Sequence, residues 1–262
     1  MTEPSADNLL RTLRTALRRA GAIHRRMASG PLEVSYKGRV DIVTRVDKAA
    51  EREIVRVVRR AFPDHAFLME EGGSRAGTAP YRWIVDPLDG TVNYAHRVPI
   101  CSVSIAVERG GRVLAGGVFD AFRNEMFLAA RGRGATLNGR KIRVSRTTEL
   151  HKALLATGFP YDRQKRAALY AERVRRALTK GRDVRRLGSA ALDLSYVACG
   201  RFDAYWEFNL RPWDVAAGWL LVEEAGGRVT RLDGSPYILG DTSQTLASNG
   251  LLHGSASRLL RT

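Results

Sequence analysis

This 262-residue chain contains two aspartates three positions apart, Asp86 and Asp89, whose carboxylates could together bind a cation. They end an apolar run in the segment WIVDPLDGTVNY and are separated only by Pro87 and Leu88. Two carboxylates this close repel each other unless a cation lies between them. Mg²⁺ prefers oxygen ligands and commonly bridges protein carboxylates to a substrate phosphate. The pair therefore suggests a site for one or two divalent ions, with the Leu88 carbonyl as a further ligand.

Other acidic residues lie where a predicted strand ends or a predicted helix begins. Glu70 and Glu71 follow the apolar run AFLM, Asp214 opens a helix, and Asp47 lies in the first turn of another. Taken singly, each is more simply explained as a loop or helix-start residue, because acids favour helix N-termini. Loops at strand ends and helix starts are nevertheless where layered α/β folds bind ligands, and Gly90 would let the backbone approach a phosphate. The combination points to a metal and phosphate site.

The elements that must position these residues can be read from the hydrophobic pattern. Apolar residues at helical spacing predict a helix over 6–28 and another from about 46 to 61, with Thr44 and Asp47 at its start. Strand-like runs joined by glycine-rich turns predict an antiparallel meander between 66 and 130 and a hairpin within 134–144. The second half alternates, with helices predicted at 165–179, 189–199, 212–225 and the C-terminus, and strands at 183–187, 202–208 and 245–248. We therefore predict a layered α/β protein.

Composition excludes some classes of protein. The chain is 44% hydrophobic, which suffices for a sizeable core, and has no apolar run of about 18 residues that could span a membrane. Charged residues near the start, such as Glu3, Asp7 and Arg11, argue against a signal peptide. Cys101 and Cys199 are the two cysteines, a usage typical of reduced cytoplasmic proteins. We expect a cytoplasmic protein.

The formal net charge is +16, from 43 Lys and Arg against 27 Asp and Glu, and arginine supplies most of it. Such a surface attracts polyanions, including RNA. However, the arginines are scattered along the chain without interleaved aromatic residues or a nucleic-acid motif. We therefore favour an arginine-rich genome as the explanation, and keep RNA or the transcription machinery as a less favoured partner.

Taken in order, the motifs resemble the inositol monophosphatase family of Mg²⁺-dependent, lithium-sensitive phosphatases. The resemblance rests on DIVTRVD, the Glu pair after a strand, DPLDGTVNYAHRVP, GSAALDLSYVACGRFDAYWE and WDVAAGWLLVEEAGG, and runs from about residue 35 to the end. It implies the five-layer α-β-α-β-α sandwich of sugar phosphatases, an α/β fold, usually as a homodimer. An N-terminal subdomain (1–145) would carry the large antiparallel sheet and most metal ligands, and a C-terminal α/β subdomain (146–262) would complete the site.

The resemblance also implies a role for individual residues, beginning with two to three Mg²⁺ ions. The first metal would be held by Glu70, Asp86 and the Leu88 carbonyl, and the second by Asp86, Asp89 and Asp214, with a third near Glu70. Departures from the family pattern at Met69 and Gly72 place Glu71 in more doubt than Glu70.

Further residues would handle water and substrate. Asp47 and Thr91 would orient and deprotonate the attacking water, and Asp89, Gly90 and Thr91 would contact the substrate phosphate. Ser189, Ala190 and Glu207 would face the rest of the substrate, and Lys37 falls near the family's active-site lysine. His24, His65, His96, His151 and His253 are predicted to take no part.

The implied reaction is hydrolysis of a small polyol phosphate, with inositol 1-phosphate as the first candidate, by in-line attack of a metal-activated water. The same machinery would serve a fructose-1,6-bisphosphatase or NADP(H) phosphatase, a 3′-phosphoadenosine phosphatase or a histidinol-phosphate phosphatase. A non-enzymatic regulatory role, binding RNA or the transcription machinery, is the alternative from another class.

Overall fold

The computed structural model describes residues 3–30, 34–36, 42–241 and 243–261. The α-helices in these residues are α1 (Ala6–Met27), α2 (Arg45–Ala61), α3 (Thr91–Ala95), α4 (Arg163–Lys180), α5 (Ala190–Ala198), α6 (Pro212–Glu224) and α7 (His253–Leu260). A single 3₁₀ turn covers Leu150–Lys152 in the same part of the chain. None of the helices within these ranges is both long and apolar enough to cross a bilayer.

The strands form a short ribbon and two larger sheets. The ribbon pairs β1 (Val34–Tyr36) with β2 (Ile42–Thr44). The large sheet has the order β10-β9-β8-β7-β6-β5-β3-β4 and is antiparallel except for the parallel pair β3 and β5. Its strands are β3 (Ala66–Met69), β4 (Gly73–Arg75), β5 (Arg82–Asp89), β6 (Ser102–Arg109), β7 (Arg112–Asp120), β8 (Glu125–Ala130), β9 (Ala135–Leu137) and β10 (Arg140–Lys141).

The small sheet has the order β12-β11-β13-β15-β14. β11 runs parallel to both its neighbours, and the other pairs are antiparallel. The strands are β11 (Leu154–Thr157), β12 (Asp183–Arg185), β13 (Ala204–Phe208), β14 (Arg228–Thr230) and β15 (Gln244–Ser248).

Three apolar clusters separate five layers. One lies between the α1–α2 layer and the large sheet, and includes Leu13, Ile54 and Trp83. A second joins the other face of that sheet to α5, α6 and the small sheet. The third lies between the small sheet and α4 and α7, and includes Trp206 and Leu260. The predicted α-β-α-β-α sandwich is therefore confirmed.

The predicted elements are present with small shifts of their bounds. The meander and the hairpin through Asn138 and Gly139 form the large sheet as predicted. The strand predicted from Phe202 begins at Ala204, because the Asp203 carboxylate accepts hydrogen bonds from Ser145 Oγ (2.5 Å) and Leu154 N (2.7 Å). Four strands (β2, β4, β11 and β14) and the short helix α3 were not predicted.

The proposed division at residue 145 coincides with the gap between the strands of the two sheets. However, α6 from the second half packs on β6 and β7 of the large sheet, so the two halves share one core. As a domain boundary, the division stays a prediction. Among the thiols, Cys101 is buried and Cys199 is partly exposed, and both are free.

Candidate active site

Glu70 and Asp86 meet because the strands that precede them are parallel neighbours. Met69 of β3 pairs with Val85 of β5, so both chains leave the sheet at the same edge. The backbone N–H of Glu70 donates to the Val85 carbonyl at 3.1 Å. The two side chains share a hydrogen bond, which contributes to raising the pKa of Asp86. Acids that are 16 positions apart in sequence are thereby held side by side.

The Asp86–Asp89 segment is a β-bulge. Asp86 pairs with Ser104 and Asp89 with Ser102, so the β5 strand carries an extra residue between these two positions. Leu88 N donates to Asp86 Oδ1 at 3.0 Å. The Leu88 side chain is fully buried in a small apolar cluster with Ile23, Val46, Tyr94 and Cys101. The bulge thus directs both aspartates to one place while the leucine anchors the loop.

A buried histidine supports this bulge from below. His24 Nε2 lies 2.8 Å from the Pro87 carbonyl, and Tyr94 Oη donates to the His24 carbonyl at 2.7 Å. Burial lowers the pKa of His24 to about 4, so the ring is neutral and its one N–H is on Nε2, since a carbonyl can only accept. The sequence predicts no role for His24, whereas the structure places its ring against the loop that carries Asp86 and Asp89. A contact across 63 positions leaves no local signal that could have identified it.

Thr91 and Asp47 are brought together as the resemblance implied. Thr91 Oγ1 lies 3.1 Å from Asp47 Oδ1 and 2.8 Å from the Leu88 carbonyl. The other oxygen of Asp47 accepts from Thr44 N (2.8 Å) and Thr44 Oγ1 (2.6 Å), which is the capping box of α2. Burial raises the pKa of Asp47. Asp47 is therefore both a helix-start residue and the partner of Thr91.

Gly90 adopts a left-handed conformation with φ of +90° as the chain enters α3. A Cβ at this position would lie 2.9 Å from the Ile100 carbonyl oxygen. Both the backbone angle and the space therefore require glycine.

Asp89 is held by the start of α5. Its Oδ2 accepts from Ser189 Oγ at 2.5 Å and from Ala191 N at 2.8 Å. Ser189, predicted to face the substrate, is buried against Asp89, whereas Ala190 lines the cleft. These hydrogen bonds oppose the effect of burial, which is to raise the pKa of Asp89. In this structure Ser189 positions a carboxylate.

Asp214 completes the acidic cluster from the second half of the chain. Ser104 Oγ donates to the Trp213 carbonyl at 3.1 Å, which fixes the first turn of α6 against β6. Arg211 N donates to Asp214 Oδ2 at 2.7 Å. Burial raises the pKa of Asp214 well above its ordinary value, and the Asp89 charge raises it further. Two distant segments therefore share one electrostatic environment.

The donor set of this cluster suits a hard cation. Glu70, Asp86, Asp89 and Asp214 all line one cleft. Burial raises the pKa of Asp86 most strongly, followed by the charges of the other three carboxyls. The cleft-lining residues in the described ranges include no His or Cys that would favour zinc. As they stand, no three His, Cys, Asp or Glu side chains in those ranges form a closed metal cage. The carboxylate and carbonyl oxygens of this cluster fit a hard cation such as Mg²⁺ in their chemistry.

The cluster lines a cleft of about 740 Å³. Glu207 lines the same cleft, and Tyr205 Oη donates to its Oε2 at 2.5 Å. Burial raises the pKa of Glu207 to about 7. A Cβ at Gly158 would lie only 1.8 Å from Glu207 Oε2, so the glycine leaves room for this carboxylate. Arg186 also lines the cleft, and its charge lowers the pKa of Glu207.

Tyr205, Gly158 and Arg186 were not identified from the sequence. Tyr205 lies inside the predicted strand that ends near Glu207, and Gly158 follows β11, which was not predicted. Lys37, near the family's active-site lysine, lies outside the described residues.

Comparison with known proteins agrees with this geometry. The inositol monophosphatase family profile matches residues 5–262. A Nus factor SuhB of Escherichia coli K12 is 47% identical over 238 residues, covering 89% of this chain and 88% of that protein. An inositol-1-monophosphatase of Synechocystis sp. is 47% identical over 232 residues, covering 87% of this chain and 80% of that protein. The crystal structure of extragenic suppressor protein suhB from Bartonella henselae superposes with a TM-score of 0.93 at 38% identity, covering 97% and 98% of the two chains. The chain belongs to the inositol monophosphatase family.

Proposed function

We propose that this protein is a Mg²⁺-dependent phosphomonoesterase whose substrate is a small polyol phosphate, with inositol 1-phosphate as the first candidate. Membership of the family implies phosphatase activity and metal dependence. The observation that carries the finer proposal is that the buried Asp86 lines one cleft with Glu70, Asp89 and Asp214. Burial and the charges of these three neighbours raise the pKa of Asp86. Such a cluster is stable as anions only when cations neutralise it.

In this proposal, Glu70, Asp86, Asp89, Asp214 and the Leu88 carbonyl hold two to three Mg²⁺ ions. When bound, these ions lower the pKa of water and neutralise charge on the attacking and leaving oxygens.

The chain's own residues then act on water and phosphate. Thr91 Oγ1, within hydrogen-bond distance of Asp47 and the Leu88 carbonyl, orients the attacking water, and Asp47 accepts the proton passed through the hydroxyl. The backbone N–H groups of Gly90 and Thr91 donate to the phosphate. Because the phosphoryl group is transferred directly to water, no covalent intermediate on the protein is required.

Glu207 selects which leaving group can bind beside the phosphate. Its carboxylate, opened to the cleft by Gly158 and held by Tyr205, accepts hydrogen bonds from substrate hydroxyls. A buried carboxylate also repels a second phosphate placed beside it, which favours a polyol monophosphate over a bisphosphate.

A phosphate-release screen tests the proposal. Purified protein, stripped with EDTA and then supplied with Mg²⁺, is assayed on inositol 1-phosphate, β-glycerophosphate, fructose 1,6-bisphosphate, NADP, 3′-phosphoadenosine 5′-phosphate and histidinol phosphate. We expect activity only with Mg²⁺, highest on inositol 1-phosphate, with inhibition by lithium and by excess Ca²⁺. Full activity after stripping would contradict the metal mechanism, and a preference for a bisphosphate would contradict the substrate.

Asp214→Asn supplies the matched mutational test. Asparagine keeps an oxygen that accepts from Arg211 N but removes the charge, so turnover should fall by several orders of magnitude with the fold intact. Asp233→Asn is the control, because Asp233 is an exposed turn residue that accepts from Ser235. Near wild-type turnover in Asp214→Asn would reduce this residue to a helix-start acid.

A second candidate function is a role in transcription, favoured by the name Nus factor SuhB that the Escherichia coli relative carries. It requires a surface and not the cleft, so the catalytically impaired Asp214→Asn protein should bind RNA polymerase as the wild type does. Sedimentation of the same protein would test the expected homodimer. Failure to bind RNA polymerase at low salt would remove this candidate without affecting the hydrolase.

A further inference from the structure

The cations of α1 and α2 form two regular stripes on the outside of the molecule. On α1 the exposed residues Arg11, Arg14, Arg18 and Arg25 recur at spacings of three, four and seven. On α2 the exposed residues Lys48, Arg52, Arg56 and Arg59 recur at spacings of four, four and three. Residues at these spacings share one face of a helix. Cations that are scattered in sequence are thus aligned in space.

The two stripes belong to one surface. Both helices pack through their apolar sides on the same face of the large sheet, in the cluster that contains Leu13, Ile54 and Trp83. Arg19 of α1 and Glu53 of α2 meet at 3.2 Å, which places the outward sides of the helices next to each other. We call the outward side of α1 and α2 the basic layer.

Few acids neutralise the basic layer. The two helices contain twelve Arg and Lys residues against four Asp and Glu, of which Asp47 and Glu51 are buried. Of the other two acids, the partly buried Glu53 pairs with Arg19 and Arg56, and the exposed Asp7 pairs with Arg133. Among the described residues, no carboxylate lies within 4 Å of the following cations of the layer: Arg14, Arg18, Arg25, Arg26, Lys48, Arg52 and Arg60.

The basic layer lacks the features of two other anion-binding surfaces. Neither helix contains Phe, Tyr or Trp, so there is no platform on which the bases of a single strand could stack. None of the large exposed apolar side chains of the described residues lies on α1 or α2, so nothing there would insert into a lipid surface. What the basic layer offers is a set of mostly guanidinium groups, which bind phosphates well.

We propose that the basic layer binds the phosphate backbone of duplex RNA, independently of sequence. The stripe on α1 runs from Arg11 to Arg25, about 21 Å at 1.5 Å per residue, so its cations can follow successive phosphates along a rigid duplex. A-form RNA is recognised through its backbone and 2′-hydroxyls across a wide, shallow groove, which suits a layer of helices lying along the surface. This inference does not depend on the hydrolytic activity.

Two triple variants test the proposal at equal net charge. Arg18→Glu/Arg25→Glu/Arg52→Glu reverses three unpaired cations of the basic layer. The control, Arg140→Glu/Arg182→Glu/Arg258→Glu, reverses three exposed arginines on β10, before β12 and on α7. Each set changes the formal charge by the same six units from +16. A neutral version, Arg18→Gln/Arg25→Gln/Arg52→Gln, shows whether the introduced carboxylates themselves disturb the fold of α1 and α2. Thermal melting and phosphate release are measured to check that every variant is folded.

Fluorescence anisotropy with a duplex RNA of about 20 base pairs is measured across about 50–200 mM salt. We expect the basic-layer variant to lose at least about tenfold in affinity and about three units in the slope of log K against log salt. The control should lose less than about threefold. The neutral version should fall between wild type and the glutamate variant.

Competition identifies the ligand. Unlabelled duplex RNA should displace the probe at lower concentration than single-stranded RNA, duplex DNA of the same sequence, or phosphatidylserine vesicles. Equal losses in the two triple variants would overturn the proposal, because charge and not position would then decide binding. Equal or better competition by DNA, single strands or vesicles would overturn the assignment to duplex RNA.

Discussion

At the residue scale, Asp47 serves two purposes that are usually taken as alternatives. One oxygen closes the capping box of α2 with Thr44, and the other lies 3.1 Å from Thr91 Oγ1. The cap thereby fixes the carboxylate that the proposed mechanism needs, at no conformational cost during the reaction. A simple helix-start assignment and a catalytic assignment are compatible here, because each uses a different oxygen.

Thr91 allows the mechanism to be tested directly. Thr91→Ala removes the hydroxyl between Asp47 and the Leu88 carbonyl, so kcat should fall by ~10²–10⁴-fold while KM changes little. Thr91→Ser keeps the hydroxyl and should retain most of the turnover. Steady-state kinetics on inositol 1-phosphate would show this. If only KM rises, Thr91 contacts the phosphate and does not orient water, and Asp47 then has no role as the proton acceptor.

Glu207 should make substrate binding depend on pH. Its pKa is raised by burial to about 7, so the carboxylate gains a proton as the pH falls through neutrality and then accepts hydrogen bonds poorly. We expect KM for inositol 1-phosphate to rise below about pH 7 in the wild type. Glu207→Gln should remove this dependence between about pH 8 and pH 6, and should lower the preference for inositol 1-phosphate over β-glycerophosphate.

The contrary result for Glu207 is equally clear. An unchanged ratio of kcat/KM for the two substrates in Glu207→Gln would show that this carboxylate does not read the polyol. The Mg²⁺ dependence of activity should be the same in the variant and the wild type, which would distinguish a role of Glu207 in substrate selection from a role in metal binding.

At the scale of elements, the bulge in β5 is the feature that brings the aspartates together, and His24 of α1 holds it. His24→Phe keeps a ring of similar size but removes the donor to the Pro87 carbonyl. We expect a loss of about 1–3 kcal/mol in the free energy of unfolding. The Mg²⁺ concentration for half-maximal activity should rise several-fold, because the loop that carries the ligands is less well fixed.

His151→Phe is the control for this prediction, since His151 is exposed beside Glu149. Urea unfolding and a Mg²⁺ titration of phosphate release would be compared for the two variants. If His24→Phe loses stability but keeps the Mg²⁺ requirement of the wild type, His24 supports the core and not the site.

At the scale of the whole molecule, buried histidines should make the fold less stable in mild acid. His253 Nε2 and Nδ1 lie 2.7 and 2.8 Å from Thr230 Oγ1 and Ser248 Oγ, and burial lowers its pKa to about 4. The unfolded chain, with a histidine pKa near 6.5, takes up the proton first. The stability that the neutral ring provides is therefore complete above about pH 6.5 and is lost towards pH 4.

His253→Gln should flatten this dependence. Between pH 7 and pH 5 we expect the wild type to lose about 1–2 kcal/mol more unfolding free energy than the variant does. Urea denaturation at the two pH values measures the difference. His24, with its pKa also lowered to about 4, acts in the same direction and remains in both proteins. Parallel losses in wild type and variant would exclude His253 as a cause.

The sequence alone was enough to predict a layered α/β protein, and its family resemblance implied the phosphatase chemistry. Periodicities of α1 and α2, the meander and the acids at strand ends are local patterns, because backbone geometry repeats every few residues. The motif around Asp86 and Asp89 is specific to a family, and its resemblance to the inositol monophosphatases implied a metal-dependent phosphatase.

Contacts between segments that are distant in sequence could be seen only in the tertiary structure. The parallel pairing of β3 and β5 put Glu70 beside Asp86, and the start of α5 put Ser189 Oγ within hydrogen-bond distance of Asp89. His24 reached Pro87, and the arginines of two helices converged on one basic layer. A linear pattern carries no record of these approaches, because packing of the layers, and not the spacing of residues along the chain, determines which side chains meet.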